Sequence, residues 1–143
     1  MSSDKVLLVD DEVEFVETLA ERMRARGLHV DYTHSGDGAI EKVGKKTYDA
    51  IVLDLAMPGM DGMETLRHLI DNHPDLQVIL LTGQGTIAAA VEATKLGAQD
   101  FMQKPTDIDK LIEKIKSARA KRMQLAEQRS AAEIEDILSR KGW

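Results

Sequence analysis

Five polar residues stand where apolar runs of the chain come to an end. Asp10 and Asp11 follow the run from Lys5 to Val9, Asp54 follows Ile51 to Leu53, Thr82 follows Gln77 to Leu81, and Lys104 follows Ala98 to Gln103. Taken singly, each has an ordinary explanation: an acidic pair opens a helix, a threonine before glycine marks a turn, a lysine before proline is a surface charge. Complementary groups at four separate run ends are a different matter. Three carboxylates brought together repel one another unless a cation sits among them. Hard oxygen ligands select magnesium, which binds through one or two carboxylates, a carbonyl and waters and leaves positions for phosphate oxygens. A lysine ammonium attracts phosphate as a point charge, and a threonine hydroxyl hydrogen-bonds it. Together these groups equip a site for phosphoryl transfer, with an aspartate as nucleophile and an acyl phosphate as product.

The elements that must position these groups are legible from periodicity. Ile51 to Leu53 read as a strand buried on both faces, stopped by Pro58, Gly59 and Gly62, so that Asp54 falls at the strand's carboxyl end. Lys5 to Val9, Leu28 to Thr33, Gln77 to Leu81 and Ala98 to Gln103 read as four further strands. Helices are expected between them. The first carries Phe15, Val16, Leu19, Ala20 and Met23 inward and stops at Gly27, and the second runs from Ala39 to Lys45. The third runs from Gly62 to Asn72 with Met63, Leu66, Leu69 and Ile70 inward; the fourth runs from near Thr86 to Gly97 with Ile87, Ala90, Val91 and Thr94 on one face. The last begins near Thr106 and packs through Ile108, Leu111, Ile112 and Ile115. Five strands alternating with five helices imply right-handed βαβ units and a doubly wound α/β fold with a parallel sheet. In such sheets ligands bind outside the carboxyl ends of the strands, where the five polar residues fall.

The bulk numbers agree. A chain of 143 residues suits one domain with an appendage. We divide it into residues 1–116 and a helical extension, residues 117–143, in which Ile134, Ile137 and Leu138 form a late apolar cluster. A solvated tail and a dimerisation or partner-docking helix are equally good readings of that extension. The net charge of -6 is uneven, because residues 107–143 carry nine Lys or Arg against seven Asp or Glu and the rest of the chain is strongly acidic. An acidic body argues against direct nucleic-acid binding, and the basic group Arg119, Lys121 and Arg122 reads as a solvated helix face. With no cysteine there is no disulfide or thiolate chemistry. Neither a bilayer-spanning run nor a signal-like start is found, and a cytoplasmic protein is expected.

The strand-end signatures, Val9-Asp10-Asp11, Leu53-Asp54-Leu55-Ala56-Met57-Pro58-Gly59-Met60-Asp61-Gly62, Leu81-Thr82-Gly83 and Asp100-Phe101-Met102-Gln103-Lys104-Pro105, resemble those of the receiver domains of two-component response regulators, over Lys5 to about Lys116. Within that family the stretch from Thr82 to Pro105 is most similar to receivers of enhancer-binding transcriptional activators. The resemblance implies a flavodoxin-like strand order 2-1-3-4-5 and a phosphoacceptor at Asp54. It also implies metal ligation by Asp11, Asp54 and the Ala56 carbonyl, with Asp10 joining through water. By the same resemblance Thr82 and Lys104 contact the phosphoryl group, Phe101 is an aromatic switch, and the bond before Pro105 is a candidate for the cis form. Ala56 and Gln84 are expected to tune phosphate lifetime. The implied partners are a sensor histidine kinase or phosphotransfer protein, and a downstream protein or output domain reached through the surface of helix 4, strand 5 and helix 5. The implied role is a switch with at most slow autodephosphorylation.

Two other classes compete. A haloacid-dehalogenase-like phosphatase also uses an aspartate nucleophile with magnesium, but its acid/base aspartate lies two residues on, where this chain has Ala56. A flavodoxin-like electron carrier needs a phosphate-cradling loop after its first strand, and here Asp10, Asp11 and Glu12 would repel a phosphate.

Overall fold

The computed structural model describes residues 4–55, 62–83, 87–104 and 107–140. Its strands are β1 (Lys5–Val9), β2 (His29–Thr33), β3 (Ala50–Asp54), β4 (Val78–Thr82) and β5 (Asp100–Gln103). Its helices are α1 (Val13–Arg24), α2 (Gly36–Lys45), α3 (Gly62–Asn72), α4 (Ile87–Leu96) and α5 (Ile108–Arg140). All pairings are parallel, in the order β2-β1-β3-β4-β5. The chain therefore steps outward from β1 to β2, returns past β1 to β3, and continues to the far edge. That reversal opens a crevice at the carboxyl ends of β1 and β3.

Alternation along the strands explains why the central ones read as unbroken apolar runs. Val6, Leu8, Val52, Ile79 and Leu81 face α1 and α5, meeting Val16, Leu19, Met23, Leu111 and Ile115. Leu7, Val9, Ile51, Leu53, Val78 and Leu80 face the other way, onto Ala39, Leu66, Leu69, Ala90 and Ala93. Both faces are covered, so neither needs polar residues. The register aligns the strand ends: Val9 pairs with Leu53, Asp54 with Leu81, and Thr82 with Gln103.

Two elements differ from the sequence expectation. The second helix begins at Gly36, three residues before Ala39, because Ser35 caps it by accepting the Gly38 N–H at 3.0 Å. The glycine that discourages a helix on propensity is required by packing there, since a Cβ on Gly38 would overlap the Thr33 hydroxyl and stand 3.1 Å from Ser35 Oγ. The buried face of α4 is Ala90 and Ala93, while Val91 is 45% exposed and Thr94 is exposed. A helix of small apolar residues has no strong stripe, and close approach to the sheet selects alanine over valine.

α5 continues as one helix over 33 residues, about 50 Å at 1.5 Å per residue. Asp107 caps it, accepting the N–H groups of Asp109 at 3.0 Å and Lys110 at 3.2 Å. Ile108, Leu111, Ile115 and Ala118 pack inward, and beyond them ion pairs take over. Arg119 and Arg122 are not a solvated face. Buried Asp4 pairs with Lys116 at 2.9 Å and Arg119 at 3.2 Å, and buried Asp49 pairs with Arg122 at 2.5 Å while accepting the Lys5 N–H at 2.8 Å. Arg129 grips Asp75 with both guanidinium nitrogens, at 2.6 and 2.7 Å. Sequence distance hid these contacts, since Asp49 and Arg122 lie 73 residues apart. Burial pushes the Asp4 carboxyl up, but the hydrogen bonds and charges of Lys116 and Arg119 outweigh it and hold the group below its ordinary value. Its stabilising effect is therefore complete above the unfolded value near 3.8 and is lost as pH falls through the lower folded value. No helix among the described residues is long and apolar enough to cross a membrane.

Gly62 closes the chain back onto the end of β3, donating its N–H to Leu55 O at 3.1 Å. A Cβ there would stand 2.6 Å from Leu55 O and 2.7 Å from Asp54 O. Gly62→Ala is expected to destabilise the fold by about 1–3 kcal/mol through overpacking, read as a lower midpoint in urea. At the other end of the sheet, Asp49→Asn removes the acceptor charge for Arg122 and is expected to cost about 1.5–3 kcal/mol by the same measurement. An unchanged midpoint would show that this pairing adds nothing to stability.

Candidate functional site

β1 delivers Asp10 to the crevice. Its N–H bonds to Thr33 O at 3.2 Å, and its Oδ1 accepts the Glu12 N–H at 2.9 Å, a short turn that starts α1. His34 Nδ1 lies 3.2 Å from the Asp10 carbonyl, which can only accept, so that nitrogen carries the proton. These contacts tie the loop to the end of β2. Asp10 is 2% exposed. Its Oδ2 meets the Lys104 ammonium, whose Nζ stands 2.7 Å away.

Lys104 is the hub. Its ammonium lies 2.7 Å from Asp10, 2.9 Å from Glu12 and 3.7 Å from Asp54, and 4.5 Å above the centre of the Phe15 ring. Its backbone N–H bonds to Thr82 O at 2.9 Å, so the end of β4 sets where the side chain departs. Burial disfavours the ammonium, but the hydrogen bonds that it donates to Asp10 and Glu12 and the charges of Asp10 and Asp54 overcome that and hold its pKa above the ordinary lysine value. The group stays charged at neutral pH, and its contribution is lost only as pH rises through the raised value.

Asp54, at the end of β3, is 4% exposed. Carboxylate oxygens of Asp10, Glu12 and Asp54 all lie within 4.8 Å of one another. Among the described residues, these three carboxylates and the Lys104 ammonium carry a formal sum of two negative charges in a largely buried crevice. A divalent cation would cancel it, and the donors are all oxygen, as magnesium requires. Asp10 Oδ2, buried against the Lys104 ammonium at 2.7 Å, is an oxygen that such a cation would share with it.

The other expected residues fall as follows. Asp11 is half-buried at the same edge, outside the group of three oxygens. Thr82 is fully buried, and its hydroxyl donates to Met102 O at 3.3 Å, toward β5. By alternation Thr82 shares its sheet face with Leu80, which pairs with Phe101, and Phe101 is half-buried against that same core. Thr82 and the aromatic ring thus belong to one face. Ala56, Gln84 and Pro105 lie outside the described residues. Glu12 is the residue that sequence reading passed over as part of an acidic helix start. A third acid directly after Asp10 and Asp11 was the signal, but only the fold shows that this N-cap residue makes no side-chain capping bond and reaches Lys104 instead.

Residues 6–116 match the family described as response regulator receiver domain. Among curated proteins the chain is similar to the transcriptional regulatory protein ZraR of Klebsiella oxytoca, 38% identical over 78% of this chain and 26% of that protein. It is also similar to the C4-dicarboxylate transport transcriptional regulatory protein DctD of Rhizobium meliloti (strain 1021), 33% identical over 90% of this chain and 28% of that protein. The chain thus spans about a quarter of the length of these relatives. Among solved structures it is similar to the receiver domain of NtrX from Brucella abortus, with a TM-score of 0.76 and 31% identity over 80% of this chain and 98% of that one.

If the charge deficit is a cation site, magnesium chloride raises the thermal midpoint of the parent protein, by about 1.4 kcal/mol of added stability at ten times the dissociation constant. Asp10→Asn is expected to abolish most of that gain, and equal gains in both proteins would remove Asp10 from the site.

Proposed function

Because this chain belongs to the response regulator receiver domain family, in which a phosphorylation-dependent switch is typical, we propose that Asp54 is its phosphoacceptor and that magnesium is its cofactor. The observation that carries this reading is the gathering of the Asp10, Glu12 and Asp54 carboxylates within 4.8 Å of one another around the shared Lys104 ammonium. Such a crevice attracts a divalent cation first and a phosphoryl group with it.

In the proposed reaction a sensor kinase or phosphotransfer protein presents a phosphohistidine. An Asp54 oxygen attacks phosphorus in line, the new O–P bond forms as the P–N bond breaks, and the departing imidazole nitrogen keeps the electron pair. Magnesium would be held by Asp11, Asp54 and the Ala56 carbonyl, with Asp10 joining through a water, and would supply neutralisation of charge on the transferring oxygens. Lys104 leaves Asp10 to pair with a phosphoryl oxygen. Thr82 gives up Met102 O and turns its hydroxyl to another. The space that it vacates lies on the face carrying Phe101, so inward rotation of that ring alters the surface of α4, β5 and α5. Loss of the phosphoryl group to water resets the switch slowly.

Residues 1–116 form the phosphoacceptor unit of this proposal, in agreement with the span of the family match. In this proposal the C-terminal extension, residues 117–143, serves to contact a partner or output domain, and its described part, residues 117–140, belongs to α5, part of the responsive surface. Arg119 and Arg122 are engaged by Asp4 and Asp49, which supports protein contact over direct nucleic-acid binding.

Intact-mass measurement after incubation with acetyl phosphate and magnesium tests the reading. The parent is expected to gain one phosphoryl mass, while Asp54→Ala, or the parent with EDTA, gains none. No added mass on the parent would defeat the proposal.

A further inference from the structure

The ammonium of Lys104 occupies the crevice where a cation would meet Asp10 and Asp54, so a cation has to displace it. Glu12 offers the place to which it can go. The Glu12 carboxylate is 2.9 Å from Nζ, its side chain is 61% exposed at the rim, and it caps no backbone group of α1. Phe15 completes this seat, its ring centre 4.5 Å below the same ammonium. We propose that Glu12 is a positioning residue that holds the Lys104 ammonium at the rim of the crevice, 2.9 Å from its own carboxylate, so that a divalent cation can take Asp10 and Asp54 without expelling Lys104 from the site.

This inference rests on the cation-site reading above and assigns to Glu12 a role exercised through Lys104. In the parent, the ammonium gives up Asp10 as the cation enters but keeps Glu12, so part of its Coulomb energy is retained. With Glu12 replaced by glutamine, the ammonium settles on Asp10 and Asp54 alone, and cation entry has to break that pairing with no compensating partner. The difference is of the size of a partly exposed ion pair, about two- to fivefold in affinity.

Isothermal titration with magnesium chloride on four proteins tests it: the parent, Glu12→Gln, Lys104→Met and the double variant. Glu12 is largely exposed, so its variant is expected to fold, and the urea midpoint of each protein checks that. Glu12→Gln is expected to weaken magnesium binding about two- to fivefold in the parent background and to have no measurable effect in the Lys104→Met background. An equal loss in both backgrounds would overturn the proposal by making Glu12 a direct carboxylate of the cation site, and no loss in either would overturn it by making the seat irrelevant. Absence of magnesium binding by the parent would instead overturn the cation site itself.

Discussion

One lysine ammonium among three carboxylates is the interaction on which this site depends. Without Lys104, the crevice at the ends of β1 and β3 would hold Asp10, Glu12 and Asp54 with their oxygens within 4.8 Å and without the ammonium that offsets their repulsion. With it, the charges are bridged but not balanced. The remaining deficit is the useful part, since it makes the crevice stable enough to fold and still receptive to a cation.

The opposite end of the sheet shows the same residue types arranged to the other purpose. Asp4, Asp49 and Asp75 face Lys116, Arg119, Arg122 and Arg129, so there the cations match or exceed the carboxylates. Those pairs act as anchors that hold α5 along the domain past Ala118, the last of its buried residues. Charge balance, more than residue type, separates the structural end of the molecule from the receptive one.

Parallel pairing makes both ends possible. With every strand running the same way, the carboxyl termini of β1, β3, β4 and β5 converge, and the register sets Asp54 beside Leu81 and Thr82 beside Gln103. Burial of both sheet faces then leaves the strand ends as the place where polar side chains can gather. Thr82, bonded to Met102 O and sharing its face with Phe101, connects the crevice to the far edge of the sheet through adjacent strands.

The strands, the parallel sheet and the convergence of Asp10, Asp54, Thr82 and Lys104 were legible in the sequence, because each depends on local apolar periodicity and on a polar residue directly following it. The buried face of α4 was not, since a run of alanines carries no periodic contrast and only approach to the sheet chooses Ala90 and Ala93 over Val91. Nor was the start of α2, where a cap and a tight fit beside Thr33 outweigh the poor helix propensity of glycine. Glu12 read as one more acid at a helix start, and Arg119 and Arg122 read as a solvated face. Their partners lie far along the chain, with Lys104 92 residues from Glu12 and Asp49 73 residues from Arg122. Local pattern determined which groups arrive at which strand end; only tertiary structure decided which charges meet, because Coulomb pairing depends on distance in space and leaves no period in the sequence.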